Sequence, residues 1–157
     1  MLQDLIRDMM NDTEKAFANV SEEAATAIEP KVHVVNDLIG EMTKNHFRRM
    51  SAGECSLLAD AIFSNLMAEY KRVAGTCSNT GMATLVRIHP ELASREHLFL
   101  ETLDTNGNAE YKRVLAQTRK QYFDQLNDAE GKSGFQQLEI SFGDQAERAT
   151  AAQNSGK

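Results

Sequence analysis

The sequence predicts an all-α domain: an antiparallel helical bundle of three long helices and two shorter ones, with a flexible C-terminal tail. Three observations predict it. Apolar residues recur every three or four positions over most of the chain, the spacing of one helix face. Runs that alternate apolar and polar are lacking ahead of the last thirty residues, so no sheet is expected. Only two prolines, Pro30 and Pro90, interrupt the helical pattern.

The first stripe is Leu2, Leu5, Ile6, Met9, Ala16, Phe17 and Val20, with Asp4, Asp8 and Asp12 on the other side. The second is Ala24, Ile28, Val32, Val35, Ile39, Met42, His46 and Met50. Ser21 suits its N-cap, and Glu22 and Glu23 suit the positive end of its dipole. Pro30 falls about two turns in and should kink or split the helix, because it removes a hydrogen bond. Gly53 can take the left-handed conformation that ends a helix. Ser51 and Glu54 have capping-box spacing for the next helix.

The third stripe is the longest: Leu58, Ile62, Leu66, Tyr70, Val73, Cys77, Gly81, Leu85 and Ile88. Gly75 and Gly81 each cost about 1 kcal/mol relative to Ala inside a helix, so each marks a close helix contact or a bend. Pro90 should end this helix. A short amphipathic segment follows over 91–103, with Leu92, Phe99 and Leu103 on one side. The Thr105-Asn106-Gly107-Asn108 turn leads into a last helix carrying Tyr111, Leu115, Tyr122 and Leu126. Lys112, Arg113, Arg119 and Lys120 give that helix a basic face. The domain should span 1–127. The Gly-, Ser-, Gln- and Ala-rich stretch 128–157 reads as a tail, in which Phe135, Leu138, Ile140 and Phe142 suit a docking arm or short strand.

Composition narrows the function. The chain has 157 residues, 41% of them hydrophobic, which is enough for one core and argues against disorder. Its net charge of −6 disfavours a nucleic-acid phosphate binder. No apolar run approaches the roughly eighteen residues that a membrane span needs, and no secretory signal is visible at Met1. On one helix, Cys55 and Cys77 would stand about 33 Å apart. A disulfide requires about 7 Å or less, so both are expected as free thiols, which suits the cytosol.

Enzyme chemistry finds little support. The sequence holds no Gly-rich phosphate loop, no Gly-x-Ser-x-Gly and no His-Glu-x-x-His. His33, His46, His89 and His97 form no i, i+4 pair, and no Glu precedes a His at the spacing a di-iron bundle uses. His46 lies on an apolar stripe and reads as a core or boundary histidine. No catalytic residue, resident metal or cofactor is expected.

One segment carries a pattern of its own. It reads His46-Phe47-Arg48-Arg49-Met50, then Gly53-Glu54-Cys55-Ser56, then Phe63-Ser64-Asn65-Leu66. Tyr70-Lys71-Arg72-Val73-Ala74-Gly75-Thr76-Cys77-Ser78-Asn79 follows. This resembles the PhoU-like cytoplasmic domain at the C-terminal end of bacterial sodium/phosphate cotransporter family proteins. There, His-x-x-Arg-Leu leads to Gly-Glu-Cys. A long helix then bears Ser-Asp-Leu and Glu-Arg-Val/Ile-x-Asp-His-Cys-Ser-Asn. The resemblance covers 1–127, with its specific motifs in 46–79, and it implies a PhoU-like three-helix repeat.

The family's acidic motif is associated with metal clusters, since an i, i+4 carboxylate pair offers hard oxygen ligands from one helix face. The equivalent positions here are Asn65, Lys71, Gly75 and Thr76 in place of Asp, Glu, Asp and His, so that site is degenerate. Arg72, Cys77 and Asn79 match the pattern. The resemblance therefore implies a non-enzymatic regulatory domain of phosphate transport at the cytoplasmic face of the inner membrane. Its partner would be a membrane phosphate transporter or the transmembrane part of its own protein, with a homodimer also open. Two other readings are a metal-binding sensor using carboxylates such as Asp4, Asp8 and Asp12, and a structural dimerisation bundle unrelated to phosphate.

Overall fold

A computed structural model of the chain describes residues 1–94, 109–124 and 126. It divides into one compact unit, Met1–Tyr122, and a second, Phe123–Lys157, of which Phe123, Asp124 and Leu126 are described. Every regular element among the described residues is helical. In order these are α1 (Leu2–Asn19), α2 (Glu22–Thr26), α3 (Ile28–Ser51), α4 (Leu57–Ile88), a 3-10 turn (Pro90–Ser94) and a helical run over 109–124, here α5. The segment 95–108, with its expected turn, and the expected tail over 128–157 lie outside the described residues.

Leu2, Leu5, Ile6 and Met9 bury the inner stripe of α1. The helix ends on Val20, which takes a left-handed conformation (φ 52°) and stands exposed. The stripe thus stops at Ala16. Phe17 and Val20 are outside the core, because the chain must reverse there to reach α2. Ser21 caps α2 as its sequence suggests, its Oγ accepting from the Ala24 N–H at 3.3 Å. The second stripe does split, but ahead of the proline. Pro30 is the third residue of α3, within the first turn, where a missing N–H leaves no bond unmade.

Val34, Val35, Leu38 and Ile39 form the centre of the core against Leu5 and Met9 of α1. α3 runs through Ser51, whose hydroxyl donates to the Phe47 carbonyl at 2.9 Å. Gly53 turns the chain at φ 75°, as its position suggests. The cap of α4 is Ser56, accepting from the Ala59 N–H at 3.2 Å, in place of the Ser51–Glu54 box. Ser51 cannot cap α4 while its own backbone belongs to α3.

α4 packs on α1, α2 and α3. Gly81 is where it comes closest: an added Cβ would sit 2.9 Å from Ile28 Cδ1 and 3.3 Å from the Ala25 carbonyl oxygen. Of the two sequence alternatives for this glycine, close contact is the outcome. Gly75 meets nothing within 4 Å. The helix stops at Ile88, before Pro90. Within the first unit, α5 sets Tyr111 edge-on to His33 of α3 at 6.0 Å and joins Arg119 to Asp37 of α3 at 2.8 Å.

Candidate functional site

α4 differs along its length, and the difference follows from the lengths of its neighbours. It has 32 residues, against 18 in α1 and 24 in α3. Met10 and Val73 share one groove, and Phe17 shares the next with Ala83 and Arg87, so α1 and α4 run the same way. Counting back along both helices puts Met1 about level with Ser64. The residues of α4 before that point have the end of α3 as their helical neighbour.

The consequence is an apolar face left in solvent. Leu58 is 72% exposed, Ile62 63% and Leu66 47%, and Leu57 and the nearby Phe47 of α3 are exposed as well. The sequence stripe assigned Leu58, Ile62 and Leu66 to the core. They are helical and share a face, as that spacing requires, but among the described residues no helix covers it. Burial along α4 begins at Met67 and continues through Ala74, Cys77, Gly81, Met82 and Leu85.

A second apolar feature lies between α1 and the packed half of α4. It is an open groove of about 550 Å³ lined by Met10, Phe17, Val73, Thr76, Cys77 and Thr80, among others. A neighbouring hollow of about 350 Å³ continues past Phe17 to Asn79 and Arg87. The sequence reading missed Met10 and misplaced Phe17 as core. On a helical wheel both fall within about 40° of buried Ile6, at the edge of the stripe, so wheel position alone did not mark them as lying outside the core.

The residues singled out by sequence are thus divided. Thr76 and Cys77 reach the larger groove, and Thr76 and Asn79 the smaller. Asn65 and Lys71 are exposed and line neither. Arg72 pairs with Glu69 at 2.5 Å on the open surface, the intrahelical geometry its spacing allows. Exposed i, i+3 pairs contribute a few tenths of a kcal/mol, ~0.3 or so. Gly75 is half-buried, and the Thr76 hydroxyl donates to the Arg72 carbonyl at 2.9 Å.

The three aspartates of α1 do not act together. Asp4 bonds the Met1 ammonium at 2.5 Å and Arg7 at 3.3 Å. The ammonium hydrogen bond, then its charge, holds the Asp4 carboxyl below the usual range. Asp8 accepts from the Tyr122 hydroxyl at 2.6 Å. Burial, followed by that bond to Asp8, pushes the Tyr122 phenol well above its ordinary value. Asp12 faces Lys31 of α3 at 2.5 Å in a half-buried pair. Among the described residues, no three His, Cys, Asp or Glu side chains come together in a cation-binding group. Nor is any helix there long and apolar enough to cross a membrane. Set against known families, curated proteins and solved structures, the chain matches no family model, no curated protein and no solved structure.

Proposed function

We propose that this chain is a non-enzymatic, PhoU-like contact domain that regulates sodium-dependent phosphate transport from the cytoplasmic side of the membrane. The observation that carries the reading is the exposed apolar face of Leu58, Ile62 and Leu66. A contiguous apolar surface of this kind marks an interaction site more often than chance exposure does. It falls inside 46–79, the segment that resembles the cotransporter family. Its occupant is the membrane part of a phosphate transporter.

Regulation by contact requires that the domain bind two transporter states unequally. The test is phosphate uptake in source cells, over a range of external phosphate, with the chain deleted or carrying Leu58→Glu with Ile62→Glu. Both changes should alter the response of uptake to phosphate, while the purified double variant keeps the helicity and Tm of the parent. Unchanged uptake after deletion would falsify the reading. A concentration-dependent dimer disrupted by the same double variant, with uptake unaffected, would favour the dimerisation bundle.

A further inference from the structure

The connection between α3 and α4 builds a second feature. After Ser51 the chain turns on Gly53, the Glu54 N–H returns to the Arg49 carbonyl at 2.9 Å, and α4 starts at its Ser56 cap. This tight reversal lays Cys55 back against α3. There it meets His46, which is buried, its ring stacked on Phe63 at 4.3 Å and 16°. His46 Nε2 lies 3.1 Å from Asp60 Oδ1, and His46 Nδ1 lies 3.9 Å from Cys55 Sγ. A thiol, an imidazole and a carboxylate from α3, the turn and α4 therefore stand in series.

Their chemistry gives the series a direction. A carboxylate only accepts hydrogen bonds, so neutral His46 carries its proton on Nε2 and donates it to Asp60. The Nδ1 lone pair then faces the Cys55 sulfur. Stacking on Phe63 and burial fix the ring in that orientation. This is the arrangement of an activated nucleophile: a thiol beside a base, and the base oriented by a third group. The 3.9 Å separation is at the long end for a sulfur hydrogen bond, and such contacts tighten as the reaction proceeds. Cys55 is half-buried and Cys77 is buried, so the accessible thiol is the one that has the base.

We propose that Cys55 is a covalent modification site, a His46-assisted thiol that exchanges with small disulfides. His46 Nδ1 takes the thiol proton as the Cys55 sulfur attacks one sulfur of the reagent. The new S–S bond to Cys55 forms as the reagent's S–S bond breaks, and the departing thiolate takes the proton from His46. Cys55 is oxidised to a mixed disulfide, and half of the reagent leaves as a reduced thiol. Cys77 is too far along α4 to resolve the product, so the adduct persists until an external thiol removes it. The adduct would stand next to exposed Leu57 and Leu58 and place a polar group beside that apolar face.

The test uses the full-length chain and glutathione disulfide, with adducts assigned by peptide mass spectrometry. Cys55 should react about tenfold or more faster than the same cysteine in a synthetic peptide of residues 52–58. His46→Ala should bring it down to the peptide's rate, and added imidazole should restore it by filling the space left. Asp60→Asn, at a half-buried position, provides a second variant that keeps the core intact and should slow the reaction several-fold. Folding of each variant is checked by circular dichroism. Reaction at the peptide's rate in the parent, or unchanged rates in a folded His46→Ala or Asp60→Asn chain, would overturn the proposal.

Discussion

The two halves of α4 carry the same sequence signal and meet different fates. Leu58, Ile62 and Leu66 repeat at helical spacing, as do Cys77, Gly81 and Leu85. The latter are buried between α1, α2 and α3, while the former stand in solvent. Periodicity therefore reports that a helix has an apolar face, and the lengths of its neighbours decide how much of that face is covered. An 18-residue α1 cannot reach both ends of a 32-residue α4.

The largest expected effect is in the packed half. Leu85→Ala should lower the urea unfolding free energy by about 2–5 kcal/mol, through lost burial plus a residual cavity. Leu58→Ala, the same chemical change in the open half, should stay within about 0.5 kcal/mol of the parent. Equal losses at the two positions would break the comparison and mean that the face of Leu58 is covered.

The glycines sharpen it further. Gly81→Ala forces a methyl group against Ile28 and the Ala25 carbonyl and should cost about 1–3 kcal/mol. Gly75→Ala has open space and should stabilise by up to about 1 kcal/mol through helix propensity alone. Opposite signs in paired thermal melts are the expected result.

Tyr122→Phe removes the bond to Asp8 and should cost about 1–2 kcal/mol at neutral pH. The sign with pH follows from the raised phenol pKa. The unfolded phenol ionises near pH 10, so the stabilisation is complete below that value and is lost as pH rises beyond it. Stability measured across that range should fall more steeply for the parent than for Tyr122→Phe. A further small effect tests a helix end. Val20 holds a left-handed conformation unsuited to a β-branched side chain, and Val20→Gly should stabilise by about 1 kcal/mol or less.

Much of the helical architecture was legible in the sequence. The Ser21 cap, the turn at Gly53 and the stop before Pro90 are local signals, decided by side chains within a few residues of the feature they control. What the sequence reading misjudged depends on distance. Phe17 and Val20 extend the α1 stripe on a helical wheel, but the helix has to end there. The Ser51–Glu54 box has the right spacing, yet α3 continues through Ser51. The aspartate ladder has i, i+4 regularity, yet Lys31 and Tyr122 draw its members to different helices. His46 was expected as a core histidine and is buried. That Cys55 and Asp60 would flank it follows from a turn whose direction no local pattern states.

The bond between Asp8 and Tyr122 has a consequence for how the molecule is made. Its two ends are 114 positions apart in the chain. At about 5–20 residues per second of synthesis, roughly 6–23 s pass between them. α1 emerges from the ribosome first and meets α3 well before α5 exists. The unit is thus assembled around its inner hairpins and fastened from outside at the end. A nascent chain halted before residue 122 would lack that fastening, and protease digestion of such stalled chains should cut α1 more readily than in the released protein.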